Sequence, residues 1–191
     1  GNRIQRTQRT YYQLSHDAGK IWTDPVQVVD ERDEYDEKHW APGVTYGVQG
    51  ARSSGQHQFL PNDTLVIGFD IMQPDQPSNF PPGISSYYIN TIYAQARLSE
   101  DRQELSWRFG DMIEVSYPKS MVGCCEAGLA WLGDEGLFNT MRCQGNEARE
   151  IQSIRYTTES ADGGMTWSEP SPLEYKDGST VWTPSSPHRF Y

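Results

Sequence analysis

The chain has 191 residues, a formal net charge of −10 and 12% aromatic residues, with 17 Gly and 12 Pro. This acidic balance argues against a nucleic-acid-binding protein, because affinity for nucleic acids comes mainly from Lys and Arg that neutralise phosphates. No apolar run of about 18 residues occurs, which argues against a membrane span. Frequent Gly, Pro and aromatic residues predict many short strands joined by tight turns, and therefore an all-β fold.

A turn motif occurs near both ends of the chain. Residues 15–22 (SHDAGKIW) and 160–167 (SADGGMTW) share the pattern S-x-D-x-G-x-x-W, and a Pro follows each after two residues. In such a turn the Asp carboxylate accepts hydrogen bonds from backbone N–H groups, and Gly supplies a positive φ. Strand-like runs flank both copies, so each predicts a β-hairpin with Trp folded back over the turn. Residues 99–107 form a degraded third copy that keeps Ser, Asp and Trp but lacks the Gly.

These motifs resemble the Asp boxes of the sialidase family, the bacterial neuraminidase repeats (BNR), which lie between the third and fourth strands of propeller blades. The resemblance implies an all-β chain that forms about three blades of a six-bladed sialidase-like β-propeller. The resemblance implies that residues 1–50 end a first blade and residues 51–120 form a second. Residues 121–178 would form a third blade, and residues 179–191 would begin a fourth.

The implied blade register assigns four strands to each complete blade. In the second blade the predicted strands are residues 56–60, 64–71, 88–98 and 112–117. In the third blade they are residues 127–132, 136–143, 151–158 and 172–175. An acidic run at residues 30–39 and a Pro-rich segment at residues 74–82 are predicted to be surface loops.

A hairpin around residues 133–136 carries the most informative pair of side chains, Glu126 and Arg142. The outer ends of a hairpin come together, so both side chains should meet on one rim of the sheet. Sialidases have the same Glu-to-Arg spacing around a similar hairpin, although Glu135 is an extra residue in this turn. The resemblance implies that Glu126 activates a Tyr nucleophile and that Arg142 binds the substrate carboxylate. The alternative is a structural salt bridge.

Other residues near this hairpin are candidates for substrate binding. Asp70 ends the second strand of its blade, a place equivalent to that of Arg142, and either faces the same pocket or stabilises a turn. Gln144 and Asn146 follow Arg142 and are suited to bind sugar hydroxyls, unless they belong to a surface loop. His16 lies at a variable position of an Asp box and is predicted to be exposed and inert.

The three cysteines adjoin the same hairpin ends. Cys124 and Cys125 precede Glu126, and Cys143 follows Arg142. They form no zinc pattern, and we predict neither a metal nor a cofactor. A disulfide from Cys143 to Cys124 or Cys125 is sterically conceivable, and buried free thiols are the alternative.

The resemblance implies that the parent protein is a glycoside hydrolase, a retaining exo-glycosidase of sialidase type. It would release terminal sialic acid or a related sugar from glycoconjugates. Such an enzyme also needs a Tyr, an Asp acid/base and two further Arg. Arg3 and Arg6 fall too late for the first Arg, and Arg189 is only a weak candidate for the other. The chain is therefore expected to be truncated and inactive by itself.

A natural half-propeller is the alternative to truncation, and it would need its open edge covered, for example by a second copy. The expected partner is a carbohydrate, and a secreted or periplasmic location follows weakly, because glycan substrates usually lie outside the cytoplasm. Two rival functions remain open at this point. One is a non-catalytic glycan-binding propeller, and the other is a scaffold, since a fold alone does not determine function.

Overall fold

The computed structural model describes residues 8–73, 88–117, 119–145 and 150–182. Several predictions concern residues outside these ranges, and the structure does not describe them. They are the Pro-rich segment at residues 74–82, the opening strand of a fourth blade, Asn146, Arg3, Arg6 and Arg189.

The prediction of an all-β chain is confirmed, because the described residues form ten strands and no helix. The strands are β1 (Tyr11–Tyr12), β2 (Val26–Gln27), β3 (Gly50–Phe59), β4 (Leu65–Gln73), β5 (Tyr88–Leu98), β6 (Leu105–Phe109), β7 (Cys124–Gly133), β8 (Gly136–Cys143), β9 (Arg155–Ser160) and β10 (Ser171–Pro172). It follows that no helix in the described ranges is long and apolar enough to cross a membrane.

The strands form three antiparallel sheets in which neighbours in sequence are neighbours in space. Strands β1 and β2 form a first hairpin, β3 to β6 form a middle sheet, and β7 to β10 form a last sheet. Strands β3 and β7, which begin the two larger sheets, lie against each other. Two open four-stranded meanders and a separate hairpin are consistent with about three blades of a propeller.

The middle sheet differs from the prediction at its first and fourth strands. Strand β3 begins at Gly50 and its register against β4 is irregular between Ser53 and His57. Because of this irregularity, the sequence pattern predicted only the second half of the strand. The fourth strand is Leu105–Phe109 rather than residues 112–117, and this correction has a simple reason. The degraded copy of the turn motif joins β5 directly to β6, and within residues 112–117 only Ile113 pairs with β5, through a single bridge to Thr91.

The last sheet agrees more closely with the prediction. Strands β7 and β8 span the predicted runs, but β9 begins at Arg155, later than residue 151. The outermost strand is only Ser171–Pro172 instead of residues 172–175. Strand β10 is therefore a short edge that pairs with β9 at Thr157 and Tyr156.

Two apolar cores hold the sheets together. One lies between the middle and last sheets, where Tyr93 donates a hydrogen bond to Asn139 Oδ1 over 3.0 Å and its ring centroid lies 4.9 Å from that of Trp167. The other lies on the opposite face of the middle sheet, beneath the first hairpin, and includes Trp40 and Phe69. The middle sheet is therefore buried on both faces, as an interior blade would be.

The two complete copies of the turn motif close by the same bonds. In the last copy Ser160 Oγ donates to Asp162 over 2.8 Å and accepts from the backbone N–H of Gly164, also over 2.8 Å. Gly164 has a φ of 88°, which favours glycine. Trp167 Nε1 donates to Gly164 O over 3.1 Å, so the indole covers the turn as predicted.

The first copy repeats these bonds, including the one from Trp22 Nε1 to Gly19 O at 3.0 Å. The degraded copy keeps the bond from Ser99 to Asp101 at 2.7 Å, and its Arg102 has a φ of 62° at the position that Ala18 (φ 60°) and Gly163 (φ 68°) occupy in the complete copies. Its tryptophan, Trp107, points into the core rather than over the turn.

Candidate functional site

Glu126 and Arg142 lie where the hairpin predicts, at the outer ends of β7 and β8. Arg142 Nη1 lies 2.7 Å from Glu126 Oε2, which is a close ion pair. Their side chains are 27% and 26% exposed, so solvent and small solutes reach both. The predicted meeting on one rim is confirmed, whereas the catalytic and binding roles of the two residues stay predictions.

The backbone at Glu126 is irregular. The register of β7 against β8 shifts between Cys125 and Gly128, which is a β-bulge. Glu126 has a φ of 48°, a conformation that costs energy for a residue with a side chain. Bulges often re-aim a side chain, and this one turns the Glu126 carboxylate towards Arg142.

Asp70 lies beside this bulge and reaches it from the middle sheet. Its Oδ1 accepts a hydrogen bond from the backbone N–H of Glu126 over 3.3 Å. Its Oδ2 lies 3.4 Å from Arg52 Nη2, which is directly across from it in the β3–β4 register. Asp70 is 1% exposed, so its carboxylate is enclosed between the two sheets rather than open to solvent.

The buried position of Asp70 changes its acidity. Burial raises the pKa of Asp70 to about 6, against the opposing effects of Arg52 and the Glu126 backbone N–H. The negative charge of Glu126 adds to the increase. Asp70 therefore changes its protonation state near pH 6, whereas an ordinary aspartate does so near pH 4.

A third arginine, Arg155, lies on the other side of Arg142. It is directly opposite Arg142 in the β8–β9 register, so the two side chains share one face of the last sheet. Arg155 is 6% exposed, and burial, together with the charge of Arg142, lowers its pKa from the usual value. We refer to Arg52, Asp70, Glu126, Arg142 and Arg155 as the rim cluster.

Arg52 and Arg155 were not recognised in the sequence. Arg52 precedes the irregular part of β3, so it lay outside the predicted strand. Arg155 lay inside a predicted strand. Its place beside Arg142 can be predicted only when the register of β8 against β9 is known. Three guanidinium groups and two carboxylates give the rim cluster a formal charge of +1 in a chain of net charge −10.

Gln144 lies just past the end of β8, two residues from Arg142. Its backbone N–H donates to Ser120 Oγ over 3.1 Å, and its carbonyl accepts from Met121 N over 2.8 Å. Its side chain is exposed. The structure thus holds the backbone of Gln144 in place, and sugar binding by its side chain stays a prediction.

The cysteines are buried free thiols rather than a disulfide. Cys124 lies opposite Cys143 in the β7–β8 register, and Cys124 Sγ lies 3.2 Å from Ile113 O. Burial raises the pKa of Cys124 and of Cys125 to about 12. These thiols are therefore protonated at neutral pH and act as small apolar side chains beneath the rim.

Comparisons with known proteins add no family to this geometry. No protein-family model matches the chain, and no curated protein matches it. The resemblance to sialidases therefore stays a prediction.

Proposed function

We propose that this chain supplies part of the active site of a retaining exo-glycosidase of sialidase type. The substrate would be a glycoconjugate that ends in sialic acid or a related acidic sugar. The observation that carries the proposal is the ion pair of Glu126 with Arg142 at 2.7 Å, on a rim that solvent reaches. A carboxylate and a guanidinium at such a rim are suited to act on a sugar with its own carboxylate.

The chemistry needs each of these two groups. An anionic nucleophile is repelled by the carboxylate of an acidic sugar, whereas a neutral Tyr that loses its proton to Glu126 avoids this repulsion. A guanidinium has five N–H donors in a planar fork, so Arg142 can hold Glu126 and a substrate carboxylate together. The nucleophile, the acid/base and other carboxylate ligands are not assigned to residues of this chain.

The surroundings of the pair also suit an anionic ligand. Arg155 adds a positive charge beside Arg142, and Arg52 adds another beside Asp70, which is itself buried and screened from the opening. A local excess of positive charge attracts a small anion even on an acidic protein. The rim cluster thus offers a basic opening with one accessible carboxylate, Glu126.

A fluorogenic sialoside tests the proposal, with the full-length protein that contains this chain as the enzyme. We expect Glu126→Gln, which removes the base but keeps the shape, to lower kcat by about a hundredfold or more. The matched control is Glu135→Gln, an exposed residue in the turn of the same hairpin, which should leave kcat unchanged.

The outcomes separate the proposal from its rivals. Hydrolysis that survives Glu126→Gln would remove the proposed role of Glu126. Sialoside binding without hydrolysis by the unaltered protein would indicate a glycan-binding propeller instead. Neither binding nor hydrolysis would favour the scaffold, in which the pair is a structural salt bridge.

A further inference from the structure

The bulge at Glu126 needs an external partner to stay in place. A non-glycine residue at a φ of 48° is held there only when its surroundings compensate the cost. The backbone N–H of Glu126 finds its acceptor in Asp70 Oδ1, in the neighbouring sheet. The direction of the Glu126 side chain therefore depends on a carboxylate that is distant in sequence.

We propose that Asp70 is the positioning residue for Glu126: its buried carboxylate holds the bulged backbone so that the Glu126 side chain faces Arg142, and its protonation weakens that hold. The catalytic consequence rests on the function proposed above. The structural part, that Asp70 holds the Glu126 backbone, does not. Asp70 itself touches no substrate, because it is buried between the sheets.

The hold depends on charge. A hydrogen bond from an N–H to an ionised carboxylate is roughly twice as strong as one to a neutral acceptor. At 3.3 Å the bond is long and therefore weak, and the charge of the ionised carboxylate supplies much of its strength. The hold is therefore stronger when Asp70 is ionised than when it carries a proton.

Titratable and charged groups face Asp70 from three strands. They are Arg52 on β3, Tyr93 on β5, and Cys124, Cys125 and Glu126 on β7. Burial keeps the tyrosine and the two thiols protonated at neutral pH, because it raises their pKa values. Arg52 and Glu126 are thus the charges that tune Asp70 in this range, and burial places its pKa at about 6.

The backbone amide of Glu126 reports directly on this hold. We expect its ¹⁵N–¹H resonance in the full chain to shift with pH, with a midpoint near pH 6. Asp70→Asn should abolish that shift, because the amide side chain does not titrate. Asp101→Asn, in the exposed degraded turn, is the matched control and should leave the shift unchanged.

A second variant keeps the test decisive if Asp70→Asn folds poorly. Arg52 is half exposed, and its charge lowers the pKa of Asp70. Arg52→Gln should therefore move the midpoint of the Glu126 amide shift to a higher pH. An amide that keeps its titration in Asp70→Asn, or a midpoint that stays in place in Arg52→Gln, would overturn the proposal.

Hydrolysis by the full-length protein gives the catalytic readout. We expect Asp70→Asn to lower kcat about tenfold with little change in KM, because a small misplacement of a reacting group is costly. It should also remove the step near pH 6 from the pH profile of kcat. If the unaltered protein does not hydrolyse sialosides, the proposed function fails, while the amide titration still decides the role of Asp70.

Discussion

Two carboxylates with almost no solvent exposure, Asp30 beneath the first hairpin and Asp70 in the rim cluster, are paired very differently, and Asp70 lies deeper in the protein. Asp30 is 2% exposed and receives short bonds from Arg32, with Nε at 2.8 Å and Nη2 at 2.7 Å. The backbone N–H of Phe109 donates to it over 2.9 Å. Asp30 is thus a bidentate, fully supported ion pair.

Asp70 has weaker partners than Asp30. Among the described residues, Arg52 reaches it with one nitrogen at 3.4 Å, and the Glu126 N–H reaches it at 3.3 Å. Burial acts to raise the pKa of both carboxyl groups. For Asp30 the bonds from Arg32 and Phe109 outweigh burial and leave its pKa below the usual value. For Asp70 burial prevails.

The difference separates a structural charge from a responsive one. Asp30 stays ionised over the physiological range and joins residue 30 of the acidic run to β6. Asp70 changes its charge near pH 6, next to the residue proposed as the base. Perturbed carboxyl groups of this kind are typical of functional sites, where full compensation would make the group inert.

The largest effect on stability is expected at Asp30. Asp30→Asn should lower the free energy of unfolding by about 2–3 kcal/mol, because it removes the buried charge that pairs with the part-buried Arg32 and accepts the Phe109 N–H. The melting temperature should then fall by about 5–10 °C for a chain of this size. A fall of less than a degree in thermal unfolding would show that the bidentate pair contributes little.

The corresponding substitution of Asp70 is expected to stabilise the fold instead of destabilising it. Asp70→Asn should raise the free energy of unfolding at pH 7 by about 1–2 kcal/mol, since a buried, weakly paired charge is costly. Denaturant unfolding of this variant beside Asp30→Asn measures the contrast, because the two substitutions are chemically identical. Destabilisation of both variants by similar amounts would remove the distinction between the two sites.

Much of the fold was predictable from local signals. The S-x-D-x-G-x-x-W motifs predicted the hairpins at residues 15–22 and 160–167, since Ser, Asp and Gly specify that turn by their own bonds. The prediction for the fourth strand of the middle sheet was wrong, because it assigned Trp107 to the turn, whereas Trp107 packs in the core. The acidic run at residues 30–39 was predicted to be solvated, but Asp30 is buried, because its partner Phe109 lies far along the chain.

The sequence predicted only those contacts of the site that lie within one hairpin. Glu126 and Arg142 belong to one hairpin, so their meeting followed from strand pairing alone. Arg52 and Arg155 became part of the site through registers that cannot be read from composition or spacing. The contact of Asp70 with the Glu126 backbone joins two sheets, and a bulge at a non-glycine residue has no sequence signature.

The smallest expected effect is the pH dependence of the unfolding free energy at the two sites, and it distinguishes them most directly. The pKa of Asp70 is raised in the folded state, so its stabilising contribution is complete below about pH 4 and is lost as the pH rises through about 6. The difference in unfolding free energy between the unaltered chain and Asp70→Asn should fall by about 1 kcal/mol between pH 5 and pH 7.

The corresponding difference for Asp30→Asn should stay flat between the same pH values. The pKa of Asp30 is lowered, so its contribution is present above about pH 4 and is lost only at lower pH. Because each difference cancels the titration of the other carboxyl groups, unfolding at pH 5, 6 and 7 isolates these two residues. A flat difference for Asp70→Asn would mean that Asp70 is as well compensated as Asp30, and the rim cluster would then contain no pH-responsive carboxylate beneath Glu126.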